Sequence, residues 1–311
     1  MPKVSVIVPS YNHEPFLEQR LDSVFGQTFD TIEVHLLDDA STDGSAGILQ
    51  RYADHPKTRN LIVSSENSGS TFQQWKRGIA LCTGEYLWIA ESDDYADLNF
   101  LQRMVGFMEQ HPEASLAFCN SNMVDETGAV RYTTEKRTQV MRSGGNEDTL
   151  ISGDRFALLN IRNVPITNAS AVLMRRAALQ EVPDEIFTLQ RAGDLYAWAF
   201  LASRGTVGQV PEFLNHFRQH RDVAAEKRDR HRARKLVLEW AGLVEFSQWL
   251  FPKTFPTDVC RLCLKEMLVD WQKQVGWRSK SPIKDGKVLL SLLRQYVLAA
   301  SGPLPSSGEL R

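Results

Sequence analysis

"YLWIAESDD" occupies residues 86–94. The apolar run Tyr86 to Ala90 reads as a buried strand, and three carboxylates, Glu91, Asp93 and Asp94, then fall within four positions. Like charges held a few ångströms apart cost several kcal/mol unless something neutralises them. Two readings follow from the residues alone. A divalent cation could share the carboxylates with a ligand, or Asp93, Asp94 or Asp97 could cap the helix that comes next and favour its dipole.

The flanking sequence repeats one pattern. "VSVIVP" (Val4 to Pro9), "IEVHLLDD" (Ile32 to Asp39) and "LIVSS" after Arg59 are further strand candidates. Between them, Leu17, Leu21 and Val24 recur at helical spacing, as do Phe72, Trp75 and Ile79, and later Leu101, Met104, Val105 and Met108. Strands alternating with helices over about 110 residues predict an α/β sandwich with a largely parallel central sheet. Such sheets bind ligands at the carboxyl ends of their strands. Those ends read "PSYN" (Pro9 to Asn12), "DDASTDGS" (Asp38 to Ser45), "SENSGS" (Ser65 to Ser70) and "ESDD". Parallel strands would bring all four to one acidic rim, where a phosphorylated ligand needs a hard cation such as Mg²⁺ or Mn²⁺ beside it.

Composition sets the outer bounds. The 311 residues, 42% hydrophobic and 24% charged, fit a globular chain and exclude a collagen-like or disordered one. No run of apolar residues is long enough to span a bilayer, and "MPKVSVIVPS" has neither a basic leader nor a cleavage site, so neither secretion nor membrane insertion is expected. Of Cys82, Cys119, Cys260 and Cys263 only the last two are close, without a second pair, which suits reduced, buried thiols in a cytoplasmic protein better than a zinc site. The net charge of −2 hides a split: from Phe213 onward Lys and Arg number 18 against 10 acids, and before it 18 against 28. The two regions are expected to face different partners.

At this point the segments "VSVIVPSYNHEPFLEQRLDSVFGQTF", "LLDDASTDGS", "ENSGS", "GIALCTGEYLWIAESDD" and "AGDLYAWAFLASRG" can be read together. In order and spacing they resemble the family 2 inverting glycosyltransferases, over about Val4 to His220. The resemblance implies the GT-A fold, a three-layer α/β/α sandwich with a mostly parallel, Rossmann-like sheet. It places a catalytic domain at 1–221, with a nucleotide-binding half at 1–115 and an acceptor half at 116–221. It implies that Pro9, Ser10 and Tyr11 line the base and ribose, and that Asp39 accepts a hydrogen bond from the base N–H. That acceptor suits a uracil or thymine imide and so favours UDP or dTDP. Asn67 and Gly69 resemble the turn that lets the nucleotide approach the backbone, and Arg77 is a further nucleotide contact or an ordinary exposed helix arginine. In the family's D-x-D element Glu91 stands where Asp is usual, implying a ribose contact for Glu91, with Asp93 as main ligand of Mn²⁺ or Mg²⁺ and Asp94 beside it.

Inverting transfer also needs a carboxylate to take the acceptor's hydroxyl proton. Asp194 matches that base, with Gly193 replacing the usual preceding Glu; an N-cap at a helix start is the structural alternative. In "NHFRQH" (Asn215 to His220), His220 or Arg218 is implied to reach the metal or diphosphate. Beyond Arg221 the resemblance fades. Residues 222–300 read as basic, helical segments that either pack with a solvated face or lie on an anionic membrane, and 301–311 as a flexible tail. The expected protein is a cytoplasmic transferase, at the inner membrane face if those helices touch lipid. It would move a sugar from a nucleotide-diphosphate donor to a saccharide or lipid-linked acceptor for a bacterial surface polysaccharide or glycolipid, with no nucleic-acid partner. A non-catalytic nucleotide or sugar-binding module is the alternative. A sugar-phosphate nucleotidyltransferase is a poorer one, because "PSYNHEP" lacks the glycine-rich basic loop a triphosphate needs.

Overall fold

In the computed structural model, which describes residues 2–141, 146–219, 230–256, 259–260 and 263, the apolar runs become parallel strands covered on both faces. The strands are β1 (Val4–Ser10), β2 (Ile32–Asp38), β3 (Thr58–Val63), β4 (Tyr86–Ile89), β5 (Tyr95–Ala96), β6 (Ala114–Val124), β7 (Val130–Thr133), β8 (Thr149–Ile151), β9 (Val172–Arg175) and β10 (Thr206–Arg218). Their order is β3-β2-β1-β4-β9-β6-β10-β5, with β7 on β6 and β8 on β10. Pairings β1–β2, β2–β3, β1–β4 and β6–β10 are parallel. β9 runs antiparallel between β4 and β6, and β5 is antiparallel to β10. β1, β2 and β4 are buried along their whole length, which is why they read as continuous apolar runs rather than as alternation.

Helices cover both faces. They are α1 (Glu14–Phe25), α2 (Ser45–Arg51), α3 (Thr71–Ile79), α4 (Phe100–Gln110), α5 (Glu135–Thr138), α6 (Gly153–Asn163), α7 (Arg176–Leu179) and α8 (Gly193–Ala202). Val4, Val6 and Val8 of β1 share one core with Leu17, Leu21 and Val24 of α1, Leu49 of α2 and Met104 of α4. Ile7, which points to the opposite face by the strand's two-residue period, meets α3 at Gly78, where an added Cβ would come within 2.6 Å of its side chain. This is the three-layer α/β/α sandwich, with an antiparallel strand, β9, inserted in the middle of the sheet that the sequence did not announce.

The chain separates into two compact units, Met1–Arg221 and Asp222–Arg311. In the second, helix Arg230–Leu250 contains buried Ala241, Leu243 and Val244, and Phe255, Cys260 and Cys263 are also buried. All four cysteines are buried and none is in a disulfide. No helix among the described residues is long and apolar enough to cross a membrane. The expected segments around Trp271 and Trp277 and the tail 301–311 lie outside the described residues.

Two capping alternatives are corrected. Helix α4 starts at Phe100 behind Asn99, with no side-chain cap, and β5 separates it from the acidic turn. Asp194 lies within the first turn of α8, whose N-cap position is Ala192. Asp43 serves two helix starts at once: Oδ1 accepts from the Ser45 amide and Oδ2 from the Glu14 amide.

Candidate active site

Parallel register decides what meets what. Ser10 of β1 is level with Asp38 of β2, and Ile7 of β1 with Ile89 of β4, so Asp39 and Asp93 leave the same edge of the sheet from the two strands that flank β1. Hydrogen bonds then tie the loops into one rim. The Asn12 and His13 amides donate to the Ser41 and Ser45 hydroxyls, and Asn12 Oδ1 accepts from the Thr42 amide at 2.7 Å. His13 Nδ1 lies 2.7 Å from Ser92 Oγ, joining the β1 loop to the acidic turn. Asn12 and Ala40, with φ of 53° and 61°, are held in the left-handed region within these loops, a backbone strain often found at ligand sites.

Two buried arginines hold the acidic turn from beneath. Arg20 of α1 is fully buried, donates through Nε to the Glu91 carbonyl at 2.8 Å and through Nη2 to Ser170 Oγ, and places Nη2 3.8 Å from Asp94 Oδ2. Burial lowers its pKa to about 10 against the pull of Asp94, Asp93 and Glu91, so it stays charged at neutral pH. Arg218 of β10 donates from Nε to the Asp93 carbonyl, from Nη1 to the carbonyls of Asp125 and Glu126, and from Nη2 to Gln19. Its guanidinium is spent on fixing the turn rather than on reaching a ligand, contrary to the expectation drawn from "NHFRQH".

The three acids of the turn differ. Asp94 is buried, with Oδ1 accepting from the Arg218 amide at 2.9 Å and Oδ2 from Asn168 Nδ2 at 2.6 Å. Glu91 is half-buried and accepts from Trp75 Nε1 at 2.7 Å. Burial first, then the charge of Asp93, pushes Glu91 up to about 8 and Asp94 up to about 7. Asp93 is half-buried and close enough to raise both neighbours. Both carboxylate oxygens of Asp94 thus already have protein donors. Among the described residues no three His, Cys, Asp or Glu side chains converge as a ligand set.

The remaining expected residues distribute as follows. Pro9 and Ser10 are buried and Tyr11 is exposed. Ser10 Oγ and Asp38 Oδ1 are buried polar atoms without a hydrogen-bond partner among the described residues. Asp39 is buried, and its carboxylate accepts from the Ser68 amide, the Ser68 hydroxyl and Gln74 Nε2. Asn67 donates to the Asp39 carbonyl while its own Oδ1 accepts from the Gly69 amide, and Gly69 has φ of 74°, which favours glycine there. Arg77 is exposed and donates to Ser64 Oγ. Asp194 is half-buried, with Oδ1 accepting from the Leu195 amide. His220 lies outside the described residues.

Arg20, Ser170 and Asn168 went unread in the sequence. Arg20 left a signal: it stands one turn after Leu17 and one before Val24, a charged residue on the apolar face of α1. Ser170 and Asn168 left none, since their roles depend on a segment brought back beside β4 by β9.

Comparison with known proteins agrees with this fold. The sequence profile described as Glycosyl transferase family 2 matches residues 5–182. An uncharacterised Mycobacterium tuberculosis protein, Rv1520, is 28% identical over 220 residues, covering 70% of this chain and 59% of that protein. The chain thus spans about three fifths of the length of this mycobacterial relative. Among solved structures, Staphylococcus aureus TarS 1–349 superposes with a TM-score of 0.67 at 17% identity, covering 96% of this chain and 80% of TarS 1–349. The Pyrobaculum calidifontis mannosyltransferase PcManGT, in complex with GDP-Man and Mn²⁺, gives 0.52 at 17% identity, over 96% and 84% of the two chains.

Proposed function

The chain belongs to glycosyl transferase family 2, and from that premise we propose that it moves a sugar from a nucleoside-diphosphate sugar to an acceptor hydroxyl with inversion at the anomeric carbon. The observation that carries the reading is the placement of Asp39 and Asp93 on one edge of the sheet, on loops locked together by hydrogen bonds. Asp39 accepts from the Ser68 amide through both oxygens, from the Ser68 hydroxyl and from Gln74 Nε2, and it would exchange one of these bonds for the base N–H that its place in the family pattern implies. This favours an imide base, hence UDP or dTDP; TarS has also been crystallised with UDP-GlcNAc. Ser10 and Asp38, whose Oγ and Oδ1 atoms have no hydrogen-bond partner among the described residues, lie level with each other at the same edge.

Asp93 would hold the cation together with diphosphate oxygens, and a bound Mn²⁺ or Mg²⁺ would supply Lewis-acid stabilisation of the leaving phosphate. Asp194, in the first turn of α8, takes the acceptor's proton as the new bond forms. Asp94, Arg20 and Arg218 position the turn. The acceptor we favour is a saccharide or lipid-linked hydroxyl in bacterial surface polysaccharide assembly, with the enzyme on the cytoplasmic side of the membrane.

Turnover of nucleotide sugars with Mn²⁺ by wild type and Asp194→Asn tests this. The variant should lose roughly 10²- to 10⁴-fold in rate, the usual span for a general base, and still bind UDP. Tight nucleotide binding by wild type without turnover of any donor would instead establish a binding module. A thermal-shift panel of UDP-, dTDP- and GDP-sugars identifies the donor, since a ligand bound only by the folded state raises the midpoint by mass action.

A further inference from the structure

One face of α3 touches both halves of the proposed site. Trp75 Nε1 donates to Glu91 Oε1 at 2.7 Å, and Thr71 Oγ1 lies 3.5 Å from Glu91 Oε2. The same indole packs against Trp198 of α8, with centroids 6.1 Å apart and planes at 40°. Phe72 meets Trp75 edge-on at 5.1 Å, and an added Cβ at Gly193, the first residue of α8, would come within 2.9 Å of the Phe72 ring. Gln73 Nε2 and Ser70 Oγ donate to the carbonyls of Phe187 and Leu189, in the segment that leads into α8. Trp198 follows Asp194 by four residues, so the two share a face of α8 one turn apart.

The two positions where this chain departs from the family pattern therefore meet on one helix. A carboxylate one methylene shorter than Glu91 would draw back from the indole, and a side chain at Gly193 would displace Phe72, which is only 5% exposed. An indole N–H can only donate, so the Trp75–Glu91 bond has one sense and fixes both partners. We propose that Trp75 is a positioning residue that registers the acidic turn after β4 against the helix bearing Asp194. The inference rests on the transferase reading for what is being registered, namely the donor's diphosphate side and the base. Misplacing reacting groups by about an ångström costs up to about 10²-fold in rate, which sets the scale of the expected effect.

The test uses the full chain and the variants Trp75→Phe, Glu91→Asp and their double. Each single change should lower kcat for donor turnover about tenfold, the double should lower it about tenfold relative to wild type rather than about a hundredfold, and the Kd of Trp75→Phe for UDP with Mn²⁺ should stay within about threefold of wild type. Independent, multiplying losses, or single variants with wild-type kcat, overturn the proposal. A second readout needs no activity. The indole N–H resonance of Trp75, assigned by its loss in Trp75→Phe, should shift both in Glu91→Asp and in Gly193→Ala, or in Trp198→Phe if Gly193→Ala does not fold. A resonance that ignores the α8 substitution overturns the registration. Should wild type turn over no donor, the transferase reading falls, and the indole spectra alone decide the registration.

Discussion

The layer formed by β1, β2 and β4 has a buried carboxylate, Glu33, at its amino edge and an acidic turn, Glu91 to Asp94, at its carboxyl edge, and the two edges treat their acids in opposite ways. At the amino ends, Glu33 accepts from Ser5 Oγ at 2.5 Å, from the Thr83 amide at 2.7 Å and from the Thr83 hydroxyl. Burial pushes its pKa up, but those hydrogen bonds outweigh burial and hold the group below the usual carboxylate range. At the carboxyl ends, Glu91 and Asp94 are pushed up to about 8 and about 7, by burial and then by Asp93, and the nearby Arg20 does not offset this. One end is a finished structural joint. The other holds acids whose negative charge its protein partners stabilise too little, so they take up protons more readily than free carboxylates do.

The comparison can be broken at several points. The largest effect is expected from Asp93→Asn, which should lower donor turnover on the order of 10³-fold through lost metal and phosphate stabilisation, while the thermal midpoint holds or rises because a like-charge neighbour of Glu91 and Asp94 is gone. A fall in the midpoint would mean that the rim is not electrostatically loaded. Next is Arg20→Met. Removing one partner of a buried charge pair costs about 3–5 kcal/mol, and the low end is expected because Asp94 can take up a proton; urea unfolding at neutral pH measures it.

Glu33→Gln should cost about 1–3 kcal/mol at neutral pH, as for a buried hydrogen-bonding group left mismatched, without changing kcat. Its pH dependence has a definite sign. Glu33 binds its proton less readily folded than unfolded, so its stabilisation is complete above the unfolded pKa of 4.5 and is lost as pH falls through the depressed folded value. Wild-type and variant unfolding curves should therefore converge in acid. His35, lowered by burial from 6.5, adds a loss of stability below that pH in both proteins, because the unfolded chain protonates first. The smallest effect belongs to Arg77→Ala. An exposed helix arginine bonded to one serine should change stability by less than about 0.5 kcal/mol, and the UDP Kd decides whether it touches the nucleotide.

Much of this architecture was legible in one dimension. The alternation of apolar strands with 3.6-period helices from Val4 to Met108 fixed the parallel layers, and the rule that ligands gather at carboxyl ends then located the rim. Local chemistry could not separate Asp93 from Asp94, because adjacent residues look alike until the fold turns one toward Asn168 and the Arg218 amide. Nor could it tell a cap from a ligand, since capping depends on where the next helix begins.

What the sequence by itself determined is which residues form the strands, the sandwich and the acidic loop ends, because periodicity and turn chemistry act between neighbours along the chain. Only the tertiary structure decided how those charges are held. Arg20 and Arg218 are 198 positions apart and meet beneath one four-residue turn, and Trp75 joins that turn to α8. Coulomb and hydrogen-bond energies depend on distance through space, and sequence separation carries no record of it until the sheet has closed.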